Sequence, residues 1–136
     1  MAYDPVKTAV IGYGYSAKTF HLPFIKALPN LTLSAISSRQ QEAVQNDWPD
    51  AQWFADANTL LDDSDAELVI ITAPNDVHYE LAKRALNNGK HVIVEKPFVT
   101  RIEDGNELIA LAEEKGLVLS VDRKSTRLNS SHANIS

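Results

Sequence analysis

Short apolar runs alternate with amphipathic or polar stretches along most of the chain. The apolar runs have the composition of β-strands and lie at residues 7–11, 31–37, 52–54, 68–72, 91–94 and 117–121. The run 68–72 is the clearest, since a continuous apolar segment is typical of a parallel strand that is buried on both faces. The stretches between the runs are as long as helices, and turn residues flank them.

These stretches predict helices at residues 16–28, 40–47 and 59–63, then from 75 or 76 to 88 and from 100 to 116. Pro23 is expected to kink or end the first turns of the first helix, because proline lacks a backbone N–H. Gly89 fits the left-handed position that follows a helix. The apolar residues of the first helix are Phe20, Phe24, Ile25 and Leu28. In the fourth helix Val77, Leu81, Ala85 and Leu86 share one face. In the fifth helix Ile102, Leu108, Ile109 and Ala112 are expected to face inward.

Strands and helices that alternate in this way predict an α/β fold with a doubly wound parallel sheet. Ligands bind such a sheet at the carboxyl ends of its strands. The chain has 136 residues, and we place its single domain at residues 1–121. Its charge of −5 argues against a nucleic-acid partner, and no apolar run is long enough to span a membrane. The N-terminus does not resemble a secretory signal, so a cytoplasmic location is the expectation.

The first strand runs into a glycine-rich turn, Gly12-Tyr13-Gly14-Tyr15-Ser16-Ala17. Gly12 lets the chain turn, Gly14 lets a pyrophosphate approach the backbone, and Ala17 is small enough for the next helix to pack on the strand. The free N–H groups of the first helical turn then face the phosphates. The order of strand, Gly-x-Gly-x-x-Ala turn and helix therefore predicts a dinucleotide-binding site.

The end of the second strand indicates which dinucleotide is bound. NAD-binding proteins place an Asp or Glu there, about 20 residues beyond the glycine turn, to hold the ribose 2′-hydroxyl. This chain has Ser37-Ser38-Arg39 instead, and two hydroxyls with a guanidinium suit a 2′-phosphate. NADP is therefore favoured over NAD. The alternative is an ordinary strand-to-helix turn, with Arg39 in solvent or paired with Glu42.

Two further segments follow predicted strands at the same edge of the sheet. They are Thr72-Ala73-Pro74-Asn75, with His78 shortly after it, and Glu95-Lys96-Pro97. Lys96 could donate to a carbonyl or hydroxyl oxygen, and a lowered pKa would suit Lys96 to acid–base work. By spacing alone, Asn75 is a helix cap, His78 a structural histidine and Lys96 a surface residue. The histidines have no metal-ligand spacing, so no metal site is expected.

One competing motif has the spacing found in short-chain dehydrogenases. Tyr79 and Lys83 form a Tyr-x-x-x-Lys pattern, as do Tyr3 and Lys7. Tyr79 lies on the helix just after the Ala-Pro-Asn turn, whereas those enzymes carry the tyrosine on a later helix and have a different glycine pattern. We interpret both matches as chance.

Over residues 6–121 the chain resembles the N-terminal domain of the glucose–fructose oxidoreductase/inositol dehydrogenase family (Gfo/Idh/MocA type). The resemblance lies in the order of four segments: the glycine turn, Ser37-Ser38-Arg39, the segment 72–78 and Glu95-Lys96-Pro97. The resemblance implies a Rossmann domain whose glycine turn and Asn75 contact a nicotinamide dinucleotide. It also implies that Lys96 lies near the nicotinamide and the substrate, often with a role in proton relay. The expected reaction is hydride transfer between NADP(H) and a sugar, polyol or related small hydroxy or carbonyl compound.

The family has a second, C-terminal α/β domain, which supplies most of the substrate pocket and the oligomer interface. Nothing in this chain corresponds to that domain. We therefore expect a homo-oligomeric oxidoreductase as the parent protein, and a fragment that binds the cofactor without turnover. The alternatives are a non-catalytic NAD(P)-binding sensor and an inactive fragment.

Residues 122–136 differ from the rest of the chain, because they are rich in Ser and Asn and have no apolar period. Asp122 to His132 match the in-frame translation of a common sequencing adapter. We interpret the segment as a non-native tail, analogous to an expression scar, and expect no function in it. The natural protein is then expected to continue beyond Val121.

Overall fold

The computed structural model describes residues 6–14, 17–72, 77–95 and 102–122, with the backbone alone at residues 20, 95, 121 and 122. Its six strands form one sheet in which all neighbouring strands are parallel. They are β1 (Val6–Ile11), β2 (Leu31–Ser37), β3 (Gln52–Phe54), β4 (Leu68–Ile71), β5 (His91–Glu95) and β6 (Leu119–Asp122). Each apolar run in the sequence thus forms a strand.

The strands lie in the order β3-β2-β1-β4-β5-β6. The chain starts in the middle of the sheet, winds outward to β3, and then crosses to the other half at β4. The predicted doubly wound parallel sheet is confirmed. In a sheet of this order, the point between β1 and β4 where the winding reverses leaves a crevice at the carboxyl ends of the strands.

Helices connect the strands on both faces of the sheet. They are α1 (Leu22–Ala27), α2 (Gln41–Asp47), α3 (Ala57–Asp63), α4 (His78–Asn87) and α5 (Ile102–Lys115). A π-helical turn, Ala17–His21, precedes α1. Asp56 caps α3 by accepting from the Thr59 N–H at 3.1 Å. Gly89 follows α4 with a φ of 80°, as the left-handed position after a helix requires.

The predicted first helix, residues 16–28, is divided into the π-helical turn and the short α1. Pro23 lies in the first turn of α1, where its missing N–H is tolerated. A π-turn bonds i to i+5, so it shifts the apolar stripe relative to that of a continuous α-helix. Leu22 and Ile25 face the core. Phe24, an apolar residue of the predicted helix, is 57% exposed.

A separate apolar core lies on each face of the sheet. On one face α3, α4 and α5 cover the sheet, and the fully buried residues there include Leu60, Leu61, Ile71, Leu86 and Leu108. On the other face α1 and α2 cover β1 and β2, and the buried residues include Val10, Leu22, Ile25, Ile36 and Val44. Burial on both faces explains why the central strands are continuous apolar runs.

The last helix, α5, packs as predicted along most of its length. It buries Leu108 and Ala112, and Ile109 is partly buried against the same core. Ile102 belongs to the same stripe by spacing, but it is the first residue of the helix and does not pack on the core. It is 79% exposed, so its predicted inward position is wrong. Residues 100–101, with which the predicted helix begins, lie outside the described residues.

Lys90 is buried immediately before β5, at the amino edge of the sheet. Its ammonium donates to the carbonyl oxygens of Ser64 and Ala66, at 3.2 and 2.7 Å. Burial lowers the pKa of this ammonium. The two carbonyl groups solvate the buried cation, and the contact ties the loop between α3 and β4 to the start of β5.

Matched isoleucine truncations test the burial on which this core depends. Ile71 in β4 is fully buried and Ile102 is 79% exposed. Ile71→Ala should lower the free energy of unfolding by about 2–5 kcal/mol, because it leaves a cavity. Ile102→Ala should change the free energy of unfolding by less than about 0.5 kcal/mol. Urea denaturation followed by circular dichroism measures both free energies. Equal losses of stability would contradict the buried position of Ile71 and the exposed position of Ile102.

Candidate functional site

The carboxyl ends of β1, β2, β4 and β5 lie level at one edge of the sheet. Ile11 of β1 is aligned with Ser37 of β2 and with Ile71 of β4. Ile71 is aligned in turn with Val94 of β5. The segments that follow β1, β2 and β4 therefore leave the sheet side by side and begin at Gly12, Ser38 and Thr72, and β5 ends beside them at Glu95.

Three hydrogen bonds hold the end of β1 between its two neighbours. The backbone N–H and the Oγ1 hydroxyl of Thr72 both donate to the carbonyl oxygen of Ile11, at 3.0 and 2.7 Å. On the other side, the Gly12 N–H donates to the carbonyl oxygen of Ser37 at 2.8 Å. Thr72 is a predicted cofactor-site residue, and its hydroxyl is engaged in fixing the start of the glycine turn.

Gly12 and Gly14 have different roles in the turn. Gly12 has a φ of 104°, and a Cβ at this position would overlap with Oγ1 of Thr72, so glycine is required. The φ of Gly14 lies outside the left-handed region, and among the described residues, its chain neighbours apart, a Cβ there would meet no atom within 4 Å. The space beside Gly14 is open, as a ligand that approaches this backbone requires. Ala17 is fully buried, so a larger side chain would displace the π-helical turn from the core.

The side chain of Tyr13 is directed at α2. Its ring lies under the ammonium of Lys18, 4.8 Å from the ring centroid. Its hydroxyl donates to the carboxylate of Asp47 at the end of α2. Burial and this hydrogen bond together raise the pKa of Tyr13 to about 12. The side chain thus braces the turn against α2, which leaves the backbone of Tyr13 as the part that can meet a cofactor.

A set of hydrogen bonds fixes the turn that follows β2. The Ser38 N–H donates to the carbonyl oxygen of Phe54 at 3.0 Å, and the indole N–H of Trp53 donates to the carbonyl oxygen of Ser38 at 2.9 Å. The Ser38 hydroxyl accepts from the Gln40 N–H at 2.9 Å. The Gln40 side-chain amide donates to the carbonyl oxygen of Tyr13, also at 2.9 Å. Sequence reasoning missed Gln40 and Trp53, because no spacing rule connects residues so far apart in the chain.

Arg39 lies in this fixed turn and is exposed. In the part of the chain that the structure describes, its guanidinium makes no ion pair, and Glu42 does not pair with it. Ser37 is only 5% exposed. The Ser38 hydroxyl accepts one hydrogen bond and keeps its own proton to donate. Of the predicted 2′-phosphate contacts, Arg39 and Ser38 therefore have groups available to a ligand.

The other predicted site residues divide into two sets. His78 is 1% exposed in the first turn of α4, which favours the structural interpretation of this histidine. Glu95 ends β5, at the same edge as the glycine turn. The remaining predicted residues lie outside the described residues, and they are Tyr15, Ser16, Ala73, Pro74, Asn75, Lys96 and Pro97.

Tyr79 and Lys83 form a surface link between two helices. The Tyr79 hydroxyl donates to Glu107 of α5 at 2.8 Å, and Lys83 pairs with the same carboxylate at 2.9 Å. The hydrogen bond to Glu107 raises the pKa of Tyr79. A tyrosine that exchanges protons in catalysis needs its pKa lowered toward the working pH. The Tyr-x-x-x-Lys spacing therefore has a structural explanation, the joining of α4 to α5.

Metal-ligating side chains do not cluster in the described ranges. Among these residues, no three His, Asp or Glu side chains come close enough together to hold a metal ion. No helix of the same residues is long and apolar enough to cross a membrane. The described part of the carboxyl edge offers hydrogen-bond donors and the guanidinium of Arg39 to a ligand.

The strand order, with a glycine turn at the point where the winding reverses, defines a Rossmann domain of the dinucleotide-binding class. The sequence model of the oxidoreductase family GFO_IDH_MocA, NAD-binding Rossmann fold, matches residues 6–123. The chain belongs to this family, and the resemblance inferred from the motifs is confirmed.

Individual relatives agree with the family assignment. The chain is 44% identical over 118 residues to YdgJ of Escherichia coli, an uncharacterized oxidoreductase. The aligned region covers 87% of this chain and 34% of that protein. The chain is 38% identical over 118 residues to the scyllo-inositol 2-dehydrogenase (NADP(+)) IolW of Bacillus subtilis, over 87% of this chain and 33% of that protein.

A solved structure shows the same fold. It is a variant of KijD10, a 3-ketoreductase from Actinomadura kijaniata, in complex with TDP-benzene and NADP. The two chains are 31% identical and superpose with a TM-score of 0.81, over 88% of this chain and 37% of that one. The chain spans about a third of the length of the curated relatives it matches.

Alanine substitutions should separate the two glycines. Gly12→Ala should lower the free energy of unfolding by about 1–3 kcal/mol, because alanine is strained at this positive φ and overlaps with Thr72. Gly14→Ala should leave the Tm nearly unchanged but weaken dinucleotide binding, because its Cβ fills the open space. Thermal unfolding and a fluorescence titration with NADPH check the pair. A large loss of stability in Gly14→Ala, or none in Gly12→Ala, would be inconsistent with this geometry.

Tyr13 should make stability depend on alkaline pH. Its pKa in the folded chain, about 12, lies above the ordinary value of 10.0. Its contribution to stability is therefore complete below about pH 10 and is lost as the pH rises through about 12. The free energy of unfolding should fall less steeply over this range in Tyr13→Phe than in the unaltered chain. Urea titrations from about pH 8 to pH 12 measure how steeply the free energy of unfolding falls with pH in each chain. Identical slopes would contradict the raised pKa of Tyr13.

Proposed function

We propose that the chain is the NADP-binding domain of an oxidoreductase. The observation that carries the proposal is the turn after β2, where Arg39 is exposed, free of ion pairs among the described residues, and held between fixed neighbours. No carboxylate is present in Ser37-Ser38-Arg39. A guanidinium binds a phosphate through paired hydrogen bonds, whereas a carboxylate at this point would repel it.

The glycine turn is suited to the pyrophosphate of the same cofactor. The open space beside Gly14 admits a ligand to the backbone, and the helical segment that follows provides N–H groups. The names of two relatives support NADP, since IolW is a dehydrogenase of NADP(+) and the KijD10 structure contains NADP. NADP is therefore the cofactor that we assign, and NAD is the less favoured alternative.

The proposed reaction of the longer protein is hydride transfer between NADP(H) and a sugar, polyol or related small hydroxy or carbonyl compound. The cofactor supplies or accepts the hydride, and the protein positions the reacting groups. Lys96 is the proposed catalytic residue. It follows β5, whose Val94 is level with Ile71 of β4, and an ammonium at this edge would donate to the reacting oxygen. Asn75, Glu95 and Pro97 are proposed cofactor contacts.

A further domain is proposed to complete the substrate pocket, because the chain spans about a third of the length of its relatives. This chain alone would bind the cofactor without turnover. A homo-oligomeric, cytoplasmic oxidoreductase is the proposed longer protein. The adapter-like residues 122–136 have no role in the proposed function.

Substitution of Arg39 should distinguish NADP from NAD. Arg39→Ala should raise the Kd for NADPH about 10- to 100-fold, the effect of losing a charge-assisted contact. It should change the Kd for NADH by less than about twofold, because NADH has no 2′-phosphate. Arg39→Lys keeps the charge but loses the planar fork, so its Kd for NADPH should be intermediate. Isothermal titration calorimetry on the full chain measures each value.

Arg84→Ala is the matched control. Arg84 lies in the last turn of α4, where it pairs with Asp62 at 2.6 Å, and the end of this helix is at the opposite edge of the sheet from Gly12. This variant should bind NADPH as the unaltered chain does. Equal affinity of the unaltered chain for NADPH and NADH would contradict the assignment of NADP, and so would equal losses for both cofactors in Arg39→Ala.

A further inference from the structure

We propose that Gln40 is a positioning residue for the cofactor pyrophosphate, acting through the Tyr13–Gly14 peptide. The inference rests on the proposed dinucleotide site at the glycine turn, but it does not depend on the choice between NADP and NAD. It assigns to Gln40 a role that neither its type nor its place in the sequence indicates.

The side chain of Gln40 crosses from the β2–α2 turn to the glycine turn. Its amide Nε2 donates to the carbonyl oxygen of Tyr13 at 2.9 Å. The backbone of Gln40 is fixed as well, since its N–H donates to the Ser38 hydroxyl at 2.9 Å and its carbonyl oxygen accepts from the Val44 N–H at 3.0 Å. The backbone from which this donor extends is therefore fixed at the start of α2.

Helix capping does not explain this side chain. Gln40 is the residue before α2, yet its side chain makes no capping hydrogen bond to the helix. The side chain is exposed, so its burial contributes little to the core. Its described contact is the one with Tyr13, which points to the glycine turn as the place where it acts.

The planarity of the Tyr13–Gly14 peptide means that a contact at the Tyr13 carbonyl also sets the direction of the Gly14 N–H. In a planar trans peptide, the carbonyl group of Tyr13 and the N–H of Gly14 point in opposite directions. A carbonyl held by Gln40 therefore directs the Gly14 N–H away from α2. Within the described residues, this N–H donates to no backbone carbonyl, and the space beside Gly14 is open.

A hydrogen bond to the carbonyl also strengthens the donor at the other end of the same peptide, because hydrogen-bonded amides polarise one another. The Gly14 N–H is thus both oriented and polarised for an anionic oxygen. Tyr13 is held separately at its side chain by Asp47, so the loss of Gln40 would free the peptide plane without releasing the whole turn.

The test uses Gln40→Met, which keeps the length of the side chain and removes the donor. Gln45→Met is the matched control, because Gln45 is exposed on α2 and, in the part of the chain that the structure describes, makes no hydrogen bond to the glycine turn. Gln40→Met should raise the Kd for NADPH and for NADH by a similar factor, about 5- to 10-fold, the effect of one hydrogen bond. Gln45→Met should leave both Kd values unchanged, and the Tm of the two variants should agree.

A second measurement needs no ligand. The carbonyl carbon of Tyr13 and the amide of Gly14 should change their NMR chemical shifts in Gln40→Met and not in Gln45→Met. Unchanged shifts, or unchanged affinity for both dinucleotides, would overturn the inference. A loss confined to NADPH would also overturn it, because it would place the effect of Gln40 on Arg39. Equal affinity of the unaltered chain for NADPH and NADH would contradict the NADP assignment alone.

Discussion

Hydrogen bonds to the carbonyl oxygen of Ile11 fix the carboxyl edge of the sheet, where we propose that the dinucleotide binds. It accepts from both the N–H and the hydroxyl of Thr72, so the end of β1 is joined to β4 at the place where the winding of the sheet reverses. The same threonine hydroxyl occupies the space that a Cβ at Gly12 would need. The requirement for glycine therefore arises from the packing of two strand ends as well as from backbone conformation.

The parallel register extends this constraint along the edge. Because Ile11, Ser37, Ile71 and Val94 are level, the glycine turn lies between the turn that carries Arg39 and the end of β5 at Glu95. A doubly wound sheet thus brings the guanidinium of Arg39, the backbone of the glycine turn and the end of β5 to one edge. Tyr13, braced by Asp47 and Lys18, keeps the turn against α2.

Sequence patterns predicted the strands well, because residues buried on both faces must be apolar over a continuous run. They predicted helix faces less well at a helix end. Ile102 belongs to the apolar stripe of α5 by spacing, but as the first residue of the helix it does not pack on the core. Motif spacing predicted the glycine turn, because Gly12 and Gly14 lie in one local turn, and the structure places that turn at the carboxyl edge of the sheet. The cofactor contacts of Gly12, Gly14 and Arg39 stay predictions. Gln40 and Trp53 could not be predicted, because their contacts form only after β1, β2 and β3 have come together.

The central claim is that one dinucleotide lies along this edge, with its pyrophosphate at Gly14 and its adenosine 2′-phosphate at Arg39. A crystal structure of the chain with NADPH tests it most directly. The account predicts a phosphate oxygen within hydrogen-bond distance of the Gly14 N–H, and the 2′-phosphate in paired contact with the Arg39 guanidinium. A nucleotide bound away from the glycine turn, or a 2′-phosphate in solvent beside an uninvolved Arg39, would contradict it.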